Sequence, residues 1–125
     1  MTEAEREMAG RKDDAILSLL AKISLLYWRP DYTQEQAAEV YSMYLEDLRE
    51  YAFRDIFAAV GKYRRDTENK FFPLPGQLRG LIELAPAWES SQGQHIAKRK
   101  AAAREEMQAI LAGDTSVLLL AQKNP

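Results

Sequence analysis

The side chains most often recruited for chemistry are scarce in this 125-residue chain: there is one histidine, His95, and no cysteine. Without thiols there is no disulfide framework, thiolate zinc site or cysteine nucleophile, and one imidazole excludes a histidine-rich metal site. His95 falls in a Ser/Gln/Gly segment with no carboxylate at helical spacing to hold its ring as a general base. Carboxylates are more plentiful. Glu35 and Glu39 stand four apart, as do Glu46 and Glu50, with Asp47 beside Glu46. A di-metal carboxylate bundle also needs Glu-x-x-His motifs, and none is present, so the run reads as a solvated helix face. The six glycines are scattered, which rules out a Gly-rich phosphate loop of Walker or dinucleotide type. No catalytic residue, cofactor site or metal site is assigned. The chain reads as a binding or assembly protein, not an enzyme.

Binding chemistry is better supplied. Lys62, Arg64, Arg65 and Lys70 form one basic cluster, and Lys98, Arg99, Lys100 and Arg104 form another. Lys100 and Arg104 lie one helical turn apart and can follow a phosphate backbone together. Arg64, Arg65, Lys98, Arg99, Lys100 and Arg104 are therefore candidate nucleic-acid contacts, with Tyr63 and Phe71 near enough in sequence to stack on bases. Tyr63 also completes a helix face, which competes for its ring. The formal charge of −2 argues against a surface devoted wholly to DNA. Acids segregate too: residues 31–50 hold six against Arg49 alone, a face suited to a basic partner. Apolar residues near the end, Met107, Ile110, Leu111, Val117, Leu118, Leu119 and Leu120, are candidate protein contacts. The competing reading is that this segment folds back as a fifth element.

Helices must position these groups. Ile16, Leu19, Leu20, Ile23, Leu26 and Tyr27 share one face of a helix starting near Asp13 or Asp14, or earlier if Thr2 and Glu5 form a capping box. Thr33 and Gln36 have capping-box spacing ahead of a stripe of Ala37, Val40, Tyr41, Tyr44, Leu45 and Leu48. A third helix runs from Ala52 to about Arg65, burying Phe53, Ile56, Phe57, Val60 and Tyr63. Pro73 and Pro75 break the pattern, and Pro75 suits the first turn of a helix carrying Leu78, Leu81, Ile82 and Ala85. Ser90 to Gly93 reads as a linker, Gln94 to Ala112 as a weakly amphipathic helix, and Gly113 as its terminator. The fold class is all-α: a compact bundle of about four helices plus a C-terminal helix and an apolar tail. Residues 1–12 are expected to fray, 13–88 to form the helical domain, and 89–125 to form a linker, helix and tail for partner binding. Residues 1–10 lack the order of a secretory signal, and no apolar run nears the roughly 20 residues that span a bilayer, so a cytoplasmic location is expected and a membrane is not.

The stretch from Tyr27 to Ile82 resembles the N-terminal domain of the phage replicative-helicase loader and inhibitor family. The aromatic-proline entry is Tyr27-Trp28-Arg29-Pro30, and the second helix supplies Tyr41, Leu45 and Asp47, with Tyr41 where the family usually has tryptophan. Phe72-Pro73-Leu74-Pro75-Gly76-Gln77-Leu78 matches the family's turn into a short helix, with Gln77 in place of the commoner glutamate. The resemblance implies a phage or prophage adaptor in a bacterial cytoplasm that binds, loads or inhibits a hexameric replicative helicase. It also implies an origin-binding initiator as a second partner. Read from the residues alone, the alternatives are a helical DNA-binding module and a phage host-takeover or assembly protein whose acidic helix covers a basic surface.

Overall fold

The computed structural model describes residues 2–28, 30–89 and 92–125. It is all-α: α1 (Glu3–Ile23), α2 (Gln34–Leu48), α3 (Phe53–Arg65), α4 (Pro75–Glu83), α5 (Gln92–Leu111) and a 3-10 helix (Ser116–Gln122).

The starts of α1, α2 and α4 have local causes. Thr2 Oγ1 accepts from Glu5 N–H at 3.1 Å, and Glu5 Oε1 accepts from Thr2 N–H at 3.1 Å. This box carries α1 back to Glu3, so residues 3–12 are helix where the sequence suggested fraying. Thr33 and Gln36 form the second box at 3.1 and 3.0 Å. Pro75 opens α4, and Leu74 N–H donates to Gln77 Oε1 at 2.8 Å. By contrast, Ala52 at the start of α3 has no capping side chain of its own.

Most of the stripe expected of α1 and of α3 is buried, but α1 ends at Ile23, so Leu26 lies beyond it and is 62% exposed, and Phe57 and Leu81 are half-buried. Leu19 and Leu20 of α1, Leu48 of α2, Phe53 and Ile56 of α3 and Leu78 of α4 meet with no exposed surface. α3 packs on α4, while α1 lies against α3, α5 and the 3-10 helix. The stripe of α2 is wider than its cover. Tyr44 and Leu48 are buried, but Val40, Tyr41 and Leu45 are only half-buried.

The C-terminal third differs most from the sequence expectation. Gln92 and Gly93, read as linker, form the first turn of α5, and Ser90 and Ser91 lie outside the described residues. The weak stripe of α5 suffices because its small residues, Ala102 and Ala103, cluster against the buried Ala52. The 3-10 helix packs Leu118, Leu120 and Ala121 against the main core. Lys22 of α1 secures it by donating to the carbonyls of Ala121 at 2.9 Å and Lys123 at 2.8 Å.

Gly113 makes that return possible. Its φ is +102°, the one positive value among the described residues, and it sits between two Schellman bonds. Gly113 N–H reaches Ile110 O at 3.0 Å, and Asp114 N–H reaches Ala109 O at 2.9 Å. A Cβ at 113 meets open space, so Gly113→Ala isolates the backbone strain. We expect that variant to lose about 1 kcal/mol in urea denaturation with an unchanged m-value.

Candidate functional site

Two segments 43 residues apart in sequence meet beside α2. Phe72 N–H approaches Trp28 O at 3.5 Å, forming a short parallel bridge between Trp28 and Phe71. The Trp28 and Phe71 rings then stand edge to face, with centroids 6.2 Å apart. Two tyrosines anchor the second segment: Tyr44 Oη donates to Pro73 O at 2.8 Å, and Tyr63 Oη donates to Phe71 O at 2.7 Å. Desolvation by burial pushes Tyr44 up to about 12 and raises Tyr63 as well, so both remain protonated donors at neutral pH.

Between these segments and α2 lies a groove enclosing about 140 Å³. Tyr41, Tyr44 and Phe72 contribute to its lining together with Trp28, Tyr32 and Leu74. The rings of Tyr44 and Phe72 lie 5.7 Å apart. The rim is unusually open for such apolar groups: Trp28 is 67% exposed, Phe71 64% and Leu74 63%. Concave, aromatic-lined surface that the core leaves uncovered is the physical signature of a docking site. Trp28 and Phe72 stand in two separate sequence motifs, and what joins them is a backbone bridge between loops, which periodicity cannot reveal. Arg29, within the first motif, lies outside the described residues.

The C-terminal candidates are placed differently. Ile110 has no exposed surface, Met107, Leu111, Val117, Leu118 and Leu120 are half-buried, and Leu119 is open at 57%. In this conformation Leu119 is the one of the seven that presents most of its side chain. The basic candidates are dispersed as well. Arg99 pairs with Asp55 at 3.1 Å, Lys98 pairs with Glu89 at 3.4 Å and lies over the Trp88 ring, and Arg64 donates to Pro125 O. Arg65, Lys100 and Arg104 are exposed without an ion-pair partner among the described residues. Tyr63 is buried in the core and does not offer a stacking face.

His95 is not in a linker. It is buried in α5, with Nε2 3.2 Å from Ile82 O and Nδ1 3.4 Å from Glu89 Oε2. A cavity of about 300 Å³ adjoins it, bordered also by Asp55, Lys62 and Arg99. Asp55 Oδ2, Glu89 Oε2, His95 Nδ1 and Arg99 Nε lack hydrogen-bond partners there. Both signs of charge face this space, and each of these side chains is held through another of its atoms. Its chemistry therefore selects no single ligand class. Among the described residues, no three histidine, aspartate or glutamate side chains are grouped to hold a metal ion, and no helix is long and apolar enough to cross a membrane.

No family model, curated protein or solved structure matches the chain.

Proposed function

We propose that the chain is a non-enzymatic adaptor that presents the Trp28–Phe71 groove to a protein partner. The observation that carries this reading is the exposure of Trp28, Phe71 and Leu74 around a preformed aromatic concavity. Apolar rings left open to water are unfavourably hydrated, and a partner that covers them gains their burial. The segments that build the groove are the same ones that resemble the phage helicase-loader and inhibitor domain. That resemblance supplies the partner: a hexameric replicative helicase in a bacterial cytoplasm, with an origin-binding initiator as a further one.

The test is capture of purified replicative helicase by the immobilised full chain. Trp28→Ala with Phe71→Ala is expected to reduce capture at least about tenfold, since buried aromatics dominate interface energies. The same pair of substitutions should leave the unfolding midpoint nearly unchanged, because both side chains are about two-thirds exposed. Undiminished capture by the folded double variant contradicts the reading. Loss of capture on Leu119→Ala alone would move the interface to the C-terminal surface.

A further inference from the structure

We infer that His95 is a proton-operated latch between the start of α5 and the end of α4, closed when the imidazole carries both protons and loosened when it carries one. The latch lies apart from the groove beside α2 and does not depend on what that groove binds. It follows from what the two ring nitrogens face. Nε2 lies 3.2 Å from Ile82 O, and Nδ1 lies 3.4 Å from Glu89 Oε2. Both neighbours are acceptors. A neutral imidazole has a single N–H, so either tautomer sets one nitrogen lone pair against an oxygen. An imidazolium donates to both. The His95 and Glu89 side chains are 7% and 6% exposed, so water does little to relieve the mismatch. Nδ1 and Oε2 each lack a hydrogen-bond partner and face one another, and one added proton serves both.

The charged groups around the ring leave this pairing open. Asp55 and Lys62 border the cavity from α3, Lys98 and Arg99 from α5, and Leu81 and Ile82 of α4 bring no titratable side chain. Asp55 pairs with Arg99 at 3.1 Å, and Lys98 pairs with the other oxygen of Glu89 at 3.4 Å. Glu89 Oε2 is thereby left to His95. The segment the latch fastens has little apolar anchorage, since Leu84 is 66% exposed and Trp88 77%. Its position rests on polar contacts: Ala85 N–H to Gln92 Oε1 at 3.1 Å, Glu89 N–H to Pro86 O at 2.9 Å, and the His95–Glu89 pair. Histidine is the side chain that ordinarily changes charge between about pH 5 and 8, so the pair can be switched in that range.

The experiment follows the full chain by NMR across that range. His95 is the one histidine, so its ring nitrogens give unassigned-free signals that report how many protons they carry. Amide exchange, corrected for the intrinsic effect of pH, reports how tightly residues 84–95 are held. Protection there is expected to fall at least about tenfold from pH 5 to 8, the value of one charge-assisted hydrogen bond, in step with loss of the second ring proton. Protection in the buried parts of α1 and α3 should change by less than about twofold. In Glu89→Gln the amide N–H can donate to a neutral Nδ1, so protection should become nearly independent of pH. His95→Gln, which carries no titrating ring, should be equally flat. Flat protection in the unmodified chain overturns the inference, and so does a fall spread evenly over all helices. A fall that persists in either folded variant overturns it as well.

Discussion

Replacing Glu106 with alanine is expected to destabilise the chain by about 3–5 kcal/mol, the usual consequence of stripping a buried charge of its partner. Glu106 projects from α5 into the junction of α1 and α3. Its Oε1 lies 3.8 Å from Lys12 Nζ, and the two side chains are 7% and 2% exposed. The same carboxylate caps α3 from outside, accepting from Phe53 N–H at 2.6 Å and Arg54 N–H at 3.3 Å. Because Ala52 has no capping side chain, α3 relies on this borrowed one. Without it, the Lys12 ammonium keeps the Arg49 carbonyl, at 3.0 Å, as its hydrogen-bond partner among the described residues. Urea denaturation of Glu106→Ala checks this, and a loss under about 1 kcal/mol would contradict the junction as described. Lys12→Met combined with Glu106→Leu should cost less than Glu106→Ala alone in the Lys12–Glu106 pairing, since no charge is left stranded, although α3 still loses its cap.

The pair also sets a pH dependence. Burial lowers the pKa of Lys12 from its ordinary 10.5, while the negative charges of Glu106 and Asp13 act to raise it. The folded chain therefore releases this proton before the unfolded chain does. In the window just below 10.5 the unfolded state binds more protons, so Lys12 makes stability rise with pH there. Glu106→Gln removes a raising influence, lowers the pKa further and extends that window toward neutral pH. Tyr44 and Tyr51, each pushed up to about 12 chiefly by burial, act in the opposite direction, as their folded forms resist ionisation. Both tyrosines are common to the two proteins, so the difference in stability between them isolates Lys12. That difference should shrink as pH rises from 7 toward 10. A constant difference contradicts the assignment.

The second large effect is truncation. A chain ending at Glu89 is expected to lose its cooperative unfolding transition. Small domains have only about 5–15 kcal/mol to lose. Removing residues 90–125 deletes the Glu106 cap, the buried Ile110, and the covering that Leu118, Leu120 and Ala121 give the core. The loss of Ile110 by itself corresponds to about 2–5 kcal/mol. Arg64 and Lys22 lose their carbonyl partners as well. A Glu89-terminated chain that melts cooperatively near the full chain's midpoint would restore residues 13–88 as an independent domain. It would also return residues 92–125 to the separate binding role that the sequence suggested.

What was legible in the sequence follows what helices advertise locally. Thr33 and Gln36 announce α2, Pro75 announces α4, and Gly113 ends α5, because capping and backbone restriction act over three or four residues. The stripes of α1 and α3 likewise name most of their buried members, except that Leu26 falls past the end of α1 and is exposed and Phe57 is half-buried. Less legible was which surface each stripe meets. Ala102 and Ala103 look too small to hold a helix on a core, yet close packing against Ala52 is what small residues permit. Lys12 falls in the stretch expected to fray, yet it is buried beside a carboxylate that comes from 94 positions away. His95 found its carboxylate, Glu89, six residues back, a spacing that helical periodicity does not flag. The groove was hidden for the same reason. Trp28 and Phe71 each sit in a loop motif, and only the bridge between them makes a surface.

On the proposed function, the Trp28–Phe71 groove is the surface that docks the partner. The chain has two tryptophans, Trp28 at the groove and Trp88 beside Lys98 at the separate cavity next to His95, so two indole N–H resonances report on two sites. Titration of the full chain with purified replicative helicase, followed through these two signals, shows which of the two sites the helicase covers. The Trp28 resonance is expected to shift or broaden early in the titration, ahead of any change at Trp88. A Trp28 signal that holds its position and intensity while the helicase is bound, or that changes only in step with Trp88, would contradict it.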